Sequence, residues 1–371
     1  MSKVCFVALS GGVDSAATAL VLKEQGYDVK GVILRLKPDD LADGDILDAQ
    51  KVADHLNIPL TVLDRREEFK KITDYFCNEY LMGRTPNPCV VCNQTIKFGE
   101  LIKYVKENGG EFLATGHYAD IIEDENGVFH IKKADSRKDQ SYFLCKLNQD
   151  ILRNVRFPLS KYSKEEVREL AQKAGLNVAE KKDSQEVCFI PDDDYISFIE
   201  KEKKPKENFG NFISSTGEVL GEHRGIYKYT IGQRKGLGAF GKPMYVLKLD
   251  YKNNTVTVGD NPELFKDEII CSDVSFVSGV VPQEDVKCEV KIRCAARPAE
   301  AVLTMTSENT CKIKFLEPQR AAATGQTAVF YDGDILLGGG TIEWLSVVSE
   351  SVSQWYKELT HPIIFSLYFK W

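Results

Sequence analysis

The stretch VCFVALSGGVDS, at residues 4–15, decides how the N-terminal half of the chain folds. Its first six residues are apolar and predict a buried parallel strand, while the small and apolar residues 16–24 predict a helix that ends near Gly26. The two glycines between them let the backbone approach a ligand closely, and the first N–H groups of the helix have no partner within it. The stretch therefore predicts an anion site, with Ser10 and Ser15 as hydroxyl donors.

The acidic residue of this loop, Asp14, narrows the kind of anion that fits. A carboxylate repels bare phosphate, so Asp14 favours a Mg²⁺ ion that it shares with the phosphates. The loop has no lysine, which excludes a Walker-type loop. The alternative is a tight turn capped by Ser10 and Asp14. Six matching residues between a strand and a helix favour an ATP site, and they resemble the pyrophosphate loop of enzymes that split ATP into AMP and pyrophosphate.

Composition predicts a globular protein with two or three domains, because 371 residues exceed one ordinary core. The formal net charge of −7 argues against a uniformly basic protein but permits a local basic face. Ten cysteines without dense spacing, and no signal peptide, predict free or catalytic thiols in a reducing cytoplasm. No apolar run is long enough to span a membrane, so we expect no membrane partner.

Up to about residue 191, short apolar runs alternate with helical stretches. The predicted strands lie at 29–34, 60–64 and 111–115, and the helices at 45–56 and 96–106. This alternation predicts an α/β fold with a doubly wound parallel sheet. Ligands bind beyond the carboxyl ends of such strands, where Ser10–Ser15, Leu34, Gly116 and His117 all fall.

A second segment, GRTPNPCVVCNQ at residues 83–94, presents two cysteines in a loop that its prolines keep irregular. Cys89 and Cys92 precede a predicted helix and lie near Lys97. A helix N-terminus and a cation both favour the thiolate, which is the nucleophilic form. The Cys-x-x-Cys spacing alone leaves a metal site, a redox pair or two thiols without a function open.

Two more segments carry chemistry only in combination with the first two. ADSRKDQSYFL at residues 134–144 is by itself typical of a solvated loop with a capping aspartate. KKDSQEVCFI at residues 181–190 places Cys188 beside Phe189 and Ile190, which is by itself typical of a small core residue.

Taken together and in order, these motifs and the ATGHY run at residues 114–118 resemble the tRNA-specific 2-thiouridylases. The resemblance extends from about Val4 to about Glu343 and includes the segment YTIGQRKGLG at residues 229–238. It implies an adenine nucleotide alpha hydrolase-like domain followed by a β-rich domain and a C-terminal β-barrel. It also implies ATP-dependent exchange of oxygen for sulfur at carbon 2 of the wobble uridine in tRNAs of the Lys, Glu and Gln type.

The resemblance also implies roles for individual residues. Cys188 carries a persulfide, Cys92 is the partner thiol, and a cysteine desulfurase or a sulfur relay protein supplies the sulfur; whether these two thiols form a disulfide stays open. The residues expected to bind ATP are Ala8, Leu9, Ser10, Gly11, Gly12, Val13, Asp14, Ser15, Leu34 and Gly116. Those expected to contact tRNA are Asn87, Pro88, Cys89, His117, Lys138, Asp139, Gln140, Arg293, Cys294 and Gln326.

Two positions depart from the family pattern. Relatives usually have an aromatic residue where Cys294 stands, and much of the family has Asp where Cys89 stands. With Cys89, three thiols (Cys89, Cys92 and Cys188) could hold a [4Fe–4S] cluster that leaves one iron open for sulfide. This cluster route is the main alternative. A small-molecule synthetase and a tRNA-binding protein with an inactive ATP site are the others.

We predict four segments from these patterns: a catalytic domain at 1–199, a small tRNA-binding domain at 200–266, a β-barrel at 267–347 and an extension of unknown role at 348–371. The second segment concentrates basic residues around Tyr227 and Tyr229 at residues 221–238, which predicts phosphate neutralisation and stacking faces for unpaired bases. The third alternates short strands and turns, which predicts the barrel.

Overall fold

The computed structural model describes residues 2–37, 39–135, 138–176, 178, 179, 181 and 187–343, without the side chains of 39–43 and 191. The predicted extension at 348–371 and most of the motif at 181–190 lie outside the described residues. Within the described part, no helix is long and apolar enough to cross a membrane.

The N-terminal region contains the predicted parallel sheet, in the order β3-β2-β1-β4-β7. Alternate residues of β1 point to opposite faces: Cys5 and Val7 pack on the side of α1, α2 and α7, and Phe6 packs on the side of α5. Helices therefore cover both faces, which confirms the doubly wound prediction. The strands are β1 (Val4–Ala8), β2 (Asp28–Arg35), β3 (Leu60–Asp64), β4 (Phe112–Ala114) and β7 (Val155–Arg156). The helices of residues 1–203 are α1 (Val13–Glu24), α2 (Asp39–Leu56), α3 (Arg66–Leu81), α4 (Pro88–Cys92), α5 (Leu101–Glu107), α6 (Gln149–Arg153), α7 (Lys164–Lys173) and α8 (Tyr195–Lys203).

The helix predicted at 96–106 differs from the observed one in its winding. The chain continues from α4 through a π-helix, Asn93–Glu100, before α5 begins. A π-helix widens each turn by one residue and occurs mostly at functional sites, and apolar periodicity does not distinguish it from an α-helix. The helix predicted at 45–56 begins six residues earlier, at Asp39.

The C-terminal region is a closed antiparallel barrel, as predicted. Its six strands follow the order β12-β15-β14-β13-β16-β17, and pairing between β12 and β17 closes it. An unpredicted hairpin from the N-terminal region, β5 (Ala119–Glu123) and β6 (Phe129–Lys133), adds to this sheet through pairing of Ile131 with Leu336. The barrel strands are β12 (Phe265–Phe276), β13 (Val286–Lys291), β14 (Ala299–Ser307), β15 (Thr310–Arg320), β16 (Thr327–Asp332) and β17 (Ile335–Glu343).

Between these regions lies a small four-stranded sheet in the order β10-β11-β8-β9. Its core includes Tyr229 beside Phe212, and Tyr227 is likewise buried, with its hydroxyl donating to Glu200 Oε1 at 2.9 Å. The prediction that both tyrosines offer open stacking faces is therefore wrong for this structure, because their rings fill apolar cores. The strands are β8 (Gly210–Ile213), β9 (Val219–His223), β10 (Tyr245–Asp250) and β11 (Thr255–Gly259).

Candidate active site

The pyrophosphate-type loop follows β1 directly and is closed by its own hydrogen bonds. Gly11 has φ +70°, and a Cβ there would lie 2.5 Å from the carbonyl oxygen of Asp45, so the position requires glycine. The Ser15 hydroxyl accepts from Ser10 N at 3.1 Å and donates to Gly12 O at 3.0 Å. Ser15 is thus used within the loop, and Ser10 is the exposed serine of the pair.

The Asp14 carboxylate is surrounded by donors from three other segments. Tyr118 donates its hydroxyl to Asp14 Oδ1 at 2.8 Å, and Lys164 Nζ lies 2.7 and 2.8 Å from the two oxygens. A Cβ on Gly116 would lie 2.9 Å from Asp14 Cβ, so the end of β4 reaches the loop, as expected from the sheet topology. Because an ammonium group and a phenol already hold this carboxylate, the site as arranged does not fit a Mg²⁺ ligand.

Leu34, at the end of β2, connects the loop region to the cysteines. It is partly buried and packs on the apolar cluster that includes Cys92 and Ile96. Phe189, the neighbour of Cys188, packs on this same cluster and stacks edge-on against Phe69. The two distant cysteine segments therefore meet at the carboxyl edge of the sheet.

Cys89 and Cys92 lie on α4, a short helix rather than the expected irregular loop. Pro88 occupies its first turn, where the missing N–H costs nothing, and Asn87 caps it by accepting from Val90 N at 3.4 Å. Burial raises the pKa of Cys89 and raises that of Cys92 to about 12, with Lys97 opposing both shifts. The prediction of thiolates is therefore wrong for the free protein, because desolvation outweighs the nearby cation.

All ten cysteines are free thiols, so Cys92 and Cys188 are not joined in a disulfide. Cys188 is exposed, and its charge acts on the pKa of both Cys89 and Cys92. Within the ranges that the structure describes, however, no three His, Cys, Asp or Glu side chains are placed to hold a metal ion. The three thiols are neighbours but, as arranged, do not fit a cluster.

Several residues predicted to contact tRNA are engaged within the protein. His117 hydrogen-bonds Thr115 at 2.7 Å, and burial together with Lys97 lowers the pKa of His117 to about 3, so its imidazole is neutral. Asp139 accepts from the backbone and hydroxyl of Ser141, and Gln140 accepts from the backbone of Tyr118. These side chains shape the site from within.

The remaining predicted contacts lie at its rim. Lys138, Arg293 and Cys294 are exposed. Cys294 acts electrostatically on Cys89, so the turn after β13 lies close to α4. Gln326 donates to the backbone oxygens of the segment that leads into α4, at 3.1 and 3.3 Å.

Sequence reasoning did not find Lys164, which lies in the first turn of α7 and is only 8% exposed. A signal was available. A lysine at a helix N-terminus opposes the helix dipole, and its placement directly after the capping residue Ser163 requires another reason. The structure supplies that reason in Asp14.

These features define the class: a nucleotide-binding α/β enzyme whose phosphate loop shares a sheet edge with paired thiols. Three family models cover nearly all of the chain up to residue 342. They are described as a tRNA methyl transferase HUP domain at residues 3–192, a tRNA methyl transferase PRC-barrel domain at 196–260 and an aminomethyltransferase beta-barrel domain at 266–342.

Curated relatives specify the family. A tRNA-specific 2-thiouridylase MnmA from Clostridioides difficile is 46% identical over 356 residues, covering 92% of this chain and 99% of the relative. The protein of the same name from Caldanaerobacter subterraneus is 46% identical over 352 residues, covering 91% of this chain and 97% of the relative. The chain belongs to the tRNA-specific 2-thiouridylase family.

Among solved structures, the U34-tRNA thiolase NcsA from Methanococcus maripaludis with its [4Fe-4S] cluster matches with a TM-score of 0.34 and 18% identity, covering 54% of this chain and 66% of that one. NMN synthetase from Francisella tularensis matches with a TM-score of 0.33 and 20% identity, covering 49% and 66%.

Proposed function

We propose that this protein is an ATP-dependent sulfurtransferase that converts the wobble uridine of tRNA to 2-thiouridine. The observation that carries the proposal is the single sheet edge at which the Ser10–Ser15 loop, Leu34 and the two cysteine segments meet. Membership of the 2-thiouridylase family supports it. We further propose a cytoplasmic location and substrates among tRNAs of the Lys, Glu and Gln type.

The first half-reaction activates a poor leaving group. The uracil oxygen O2 attacks the α-phosphate of ATP and pyrophosphate leaves, so that the oxygen becomes part of an AMP ester. The N–H groups at the start of α1 and the exposed Ser10 hydroxyl stabilise the departing pyrophosphate. Lys164 neutralises Asp14, so the loop accepts phosphates without a net negative side chain facing them.

The second half-reaction delivers sulfur. The terminal sulfur of a Cys188 persulfide attacks carbon 2 and AMP leaves with the oxygen. The Cys92 thiolate then attacks the inner Cys188 sulfur, which leaves the outer sulfur on the base and joins the two cysteines in a disulfide. A reducing thiol restores the pair, and a cysteine desulfurase or a sulfur relay protein reloads Cys188. The raised pKa keeps Cys92 protonated in the free protein, which protects the persulfide from early cleavage.

The cluster route is the rival outcome. Cys89, Cys92 and Cys188 would then hold iron, and a bound sulfide would attack carbon 2. In the residues that the structure describes, the geometry favours the two-thiol route, because no metal-holding group of side chains is present.

The test is anaerobic purification with iron and labile-sulfide analysis, combined with a thiolation assay on tRNA with ATP. Product from iron-free protein and a persulfide donor supports the two-thiol route, and a Cys89→Ser variant should then still form product. Product only with bound iron, lost in Cys89→Ser, establishes the cluster route. ATP–pyrophosphate exchange at full rate without tRNA, and no thiolated product, contradicts the proposed function and indicates a small-molecule synthetase.

A further inference from the structure

The turn that leads from α3 into α4 lies where the three regions of the protein meet. Gly83, with φ +71°, faces the central region: a Cβ there would lie 3.0 Å from Leu249 and 3.1 Å from Ile226. The next residue, Arg84, faces the barrel. Cys89 follows five positions later, so whatever holds this turn also places the thiols.

Arg84 joins the turn to the barrel through a buried, two-pronged ion pair. Its Nη1 and Nη2 lie 2.6 and 3.0 Å from the two carboxylate oxygens of Glu343, at the end of β17. Its Nε donates to Glu79 of α3 at 2.7 Å. The side chains of Arg84, Glu79 and Glu343 are 12%, 4% and 6% exposed, and such a fork-to-fork geometry fixes direction as well as distance.

The backbone just beyond Arg84 is held by the same barrel. Thr85 N donates to Thr324 O at 2.8 Å, and the Gln326 amide donates to the oxygens of Thr85 and Pro86. A Cβ on Gly325 would lie 3.0 Å from Thr85, so the two chains are in close contact. The barrel therefore contacts every residue from 84 to 86, directly before α4.

The barrel itself is attached firmly to the N-terminal region at a second place. The hairpin β5–β6 extends the barrel sheet, and the Tyr142 hydroxyl donates to Thr327 O at 2.8 Å. A barrel that is fixed in this way can transmit its position to the turn. A loosely tethered domain could not.

We propose that Arg84 is a positioning residue for sulfur transfer, and that its pair with Glu343 makes the barrel part of the thiolation centre by setting where α4 lies. The proposal rests on the proposed function. Its consequence is that disturbing a barrel residue that no predicted tRNA contact includes will slow sulfur transfer and expose the α4 thiols.

The choice of variant follows from the charges. Removing Arg84 leaves two buried carboxylates together, which endangers folding. Glu343→Gln is gentler, because the amide keeps the shape, can still accept from Arg84 and Ser272, and leaves Arg84 paired with Glu79. The matched control is Glu268→Gln, which removes the barrel carboxylate paired with Lys312 at 2.6 Å, away from the turn.

Two measurements on the full-length protein test the proposal. The first is single-turnover thiolation with persulfide-loaded protein, alongside tRNA affinity. The second is the alkylation rate of each cysteine, mapped by mass spectrometry without tRNA or ATP. For Glu343→Gln we expect thiolation about tenfold slower, since ångström-scale misplacement of reacting groups costs up to roughly 10²-fold, with tRNA affinity within about twofold. We also expect faster alkylation of Cys89 and Cys92, and no change in either measurement for Glu268→Gln.

Unchanged thiolation and unchanged alkylation in a folded Glu343→Gln protein would overturn the proposal. A loss of tRNA affinity equal to the loss of rate would also overturn it, because the barrel would then act only as a tRNA handle. If the wild-type protein forms no 2-thiouridine, the proposed function fails, and the alkylation rates still decide whether the pair positions α4.

Discussion

The ion pair between Lys164 and Asp14 makes a quantitative prediction about ATP binding. We expect Lys164→Met to weaken the use of ATP because it leaves a bare carboxylate beside the phosphates. Two unit charges 2.7 Å apart interact by about 6 kcal/mol at an effective dielectric constant of ~20. Desolvation offsets much of this, and removing one partner of a buried pair costs roughly 3–5 kcal/mol. Asp14 is 32% exposed, so we take about 2 kcal/mol, or roughly a thirtyfold rise in KM for ATP.

The assay is release of AMP and pyrophosphate in the presence of tRNA, as a function of ATP concentration. Lys173→Met is the matched control, because Lys173 lies in the last turn of the same helix and is 76% exposed. We expect the control to leave KM for ATP unchanged. The double variant Lys164→Met with Asp14→Asn removes both charges and should recover most of the loss.

A KM for ATP within twofold of wild type in a folded Lys164→Met protein would refute the reasoning. So would a double variant that is worse than Lys164→Met alone. That second result would mean that Asp14 leaves Lys164 during the reaction and holds a cation, as the sequence alone suggested.

Three further predictions concern the thiols, the buried histidine and the loop glycine. At pH 8 a thiol with a pKa of about 12 is roughly 10⁻⁴ ionised, so iodoacetamide should modify exposed Cys188 well before Cys92, and equal rates would contradict the burial argument. The pKa of His117 is lowered to about 3 in the folded protein, so the unfolded chain binds the proton first and stability falls as pH drops from about 6.5 towards 3; His117→Gln should show a smaller loss of melting temperature between pH 7.5 and 5 than wild type. Gly11→Ala should lower the free energy of unfolding by roughly 1–3 kcal/mol and raise KM for ATP, whereas Gly26→Ala, also at positive φ but with nothing within 4 Å, should cost less in urea melts and leave KM unchanged.

The parallel sheet and the loop could be predicted because their causes are local. An apolar run, two glycines and a helix determine the turn at residues 9–13, and alternation of strands and helices determines the sheet. The barrel was predictable for the same reason. The chemistry of Asp14 was not, because its partner Lys164 lies 150 positions away and no local pattern reports that contact.

The cysteine site shows the same division. The resemblance identified Cys92 and Cys188, and the structure brings their segments onto one apolar cluster through Phe189. Their protonation could not be read from sequence, since the cation Lys97 and the degree of burial act in opposite directions and only the folded geometry decides which is larger. The π-helix after Cys92 was also hidden, because it buries the same residue types as an α-helix.

The hairpin that extends the barrel sheet has a consequence for how this chain can be divided. A fragment that ends before the barrel would keep β6 but lose its neighbour β17, and an unpaired edge invites association with other strands. It would also leave the Tyr142 hydroxyl, buried in the whole protein, without its acceptor at Thr327. The boundaries drawn along the sequence are therefore not lines along which the protein can be cut. Grafting a relative's barrel onto this N-terminal region would require exchanging the hairpin with it.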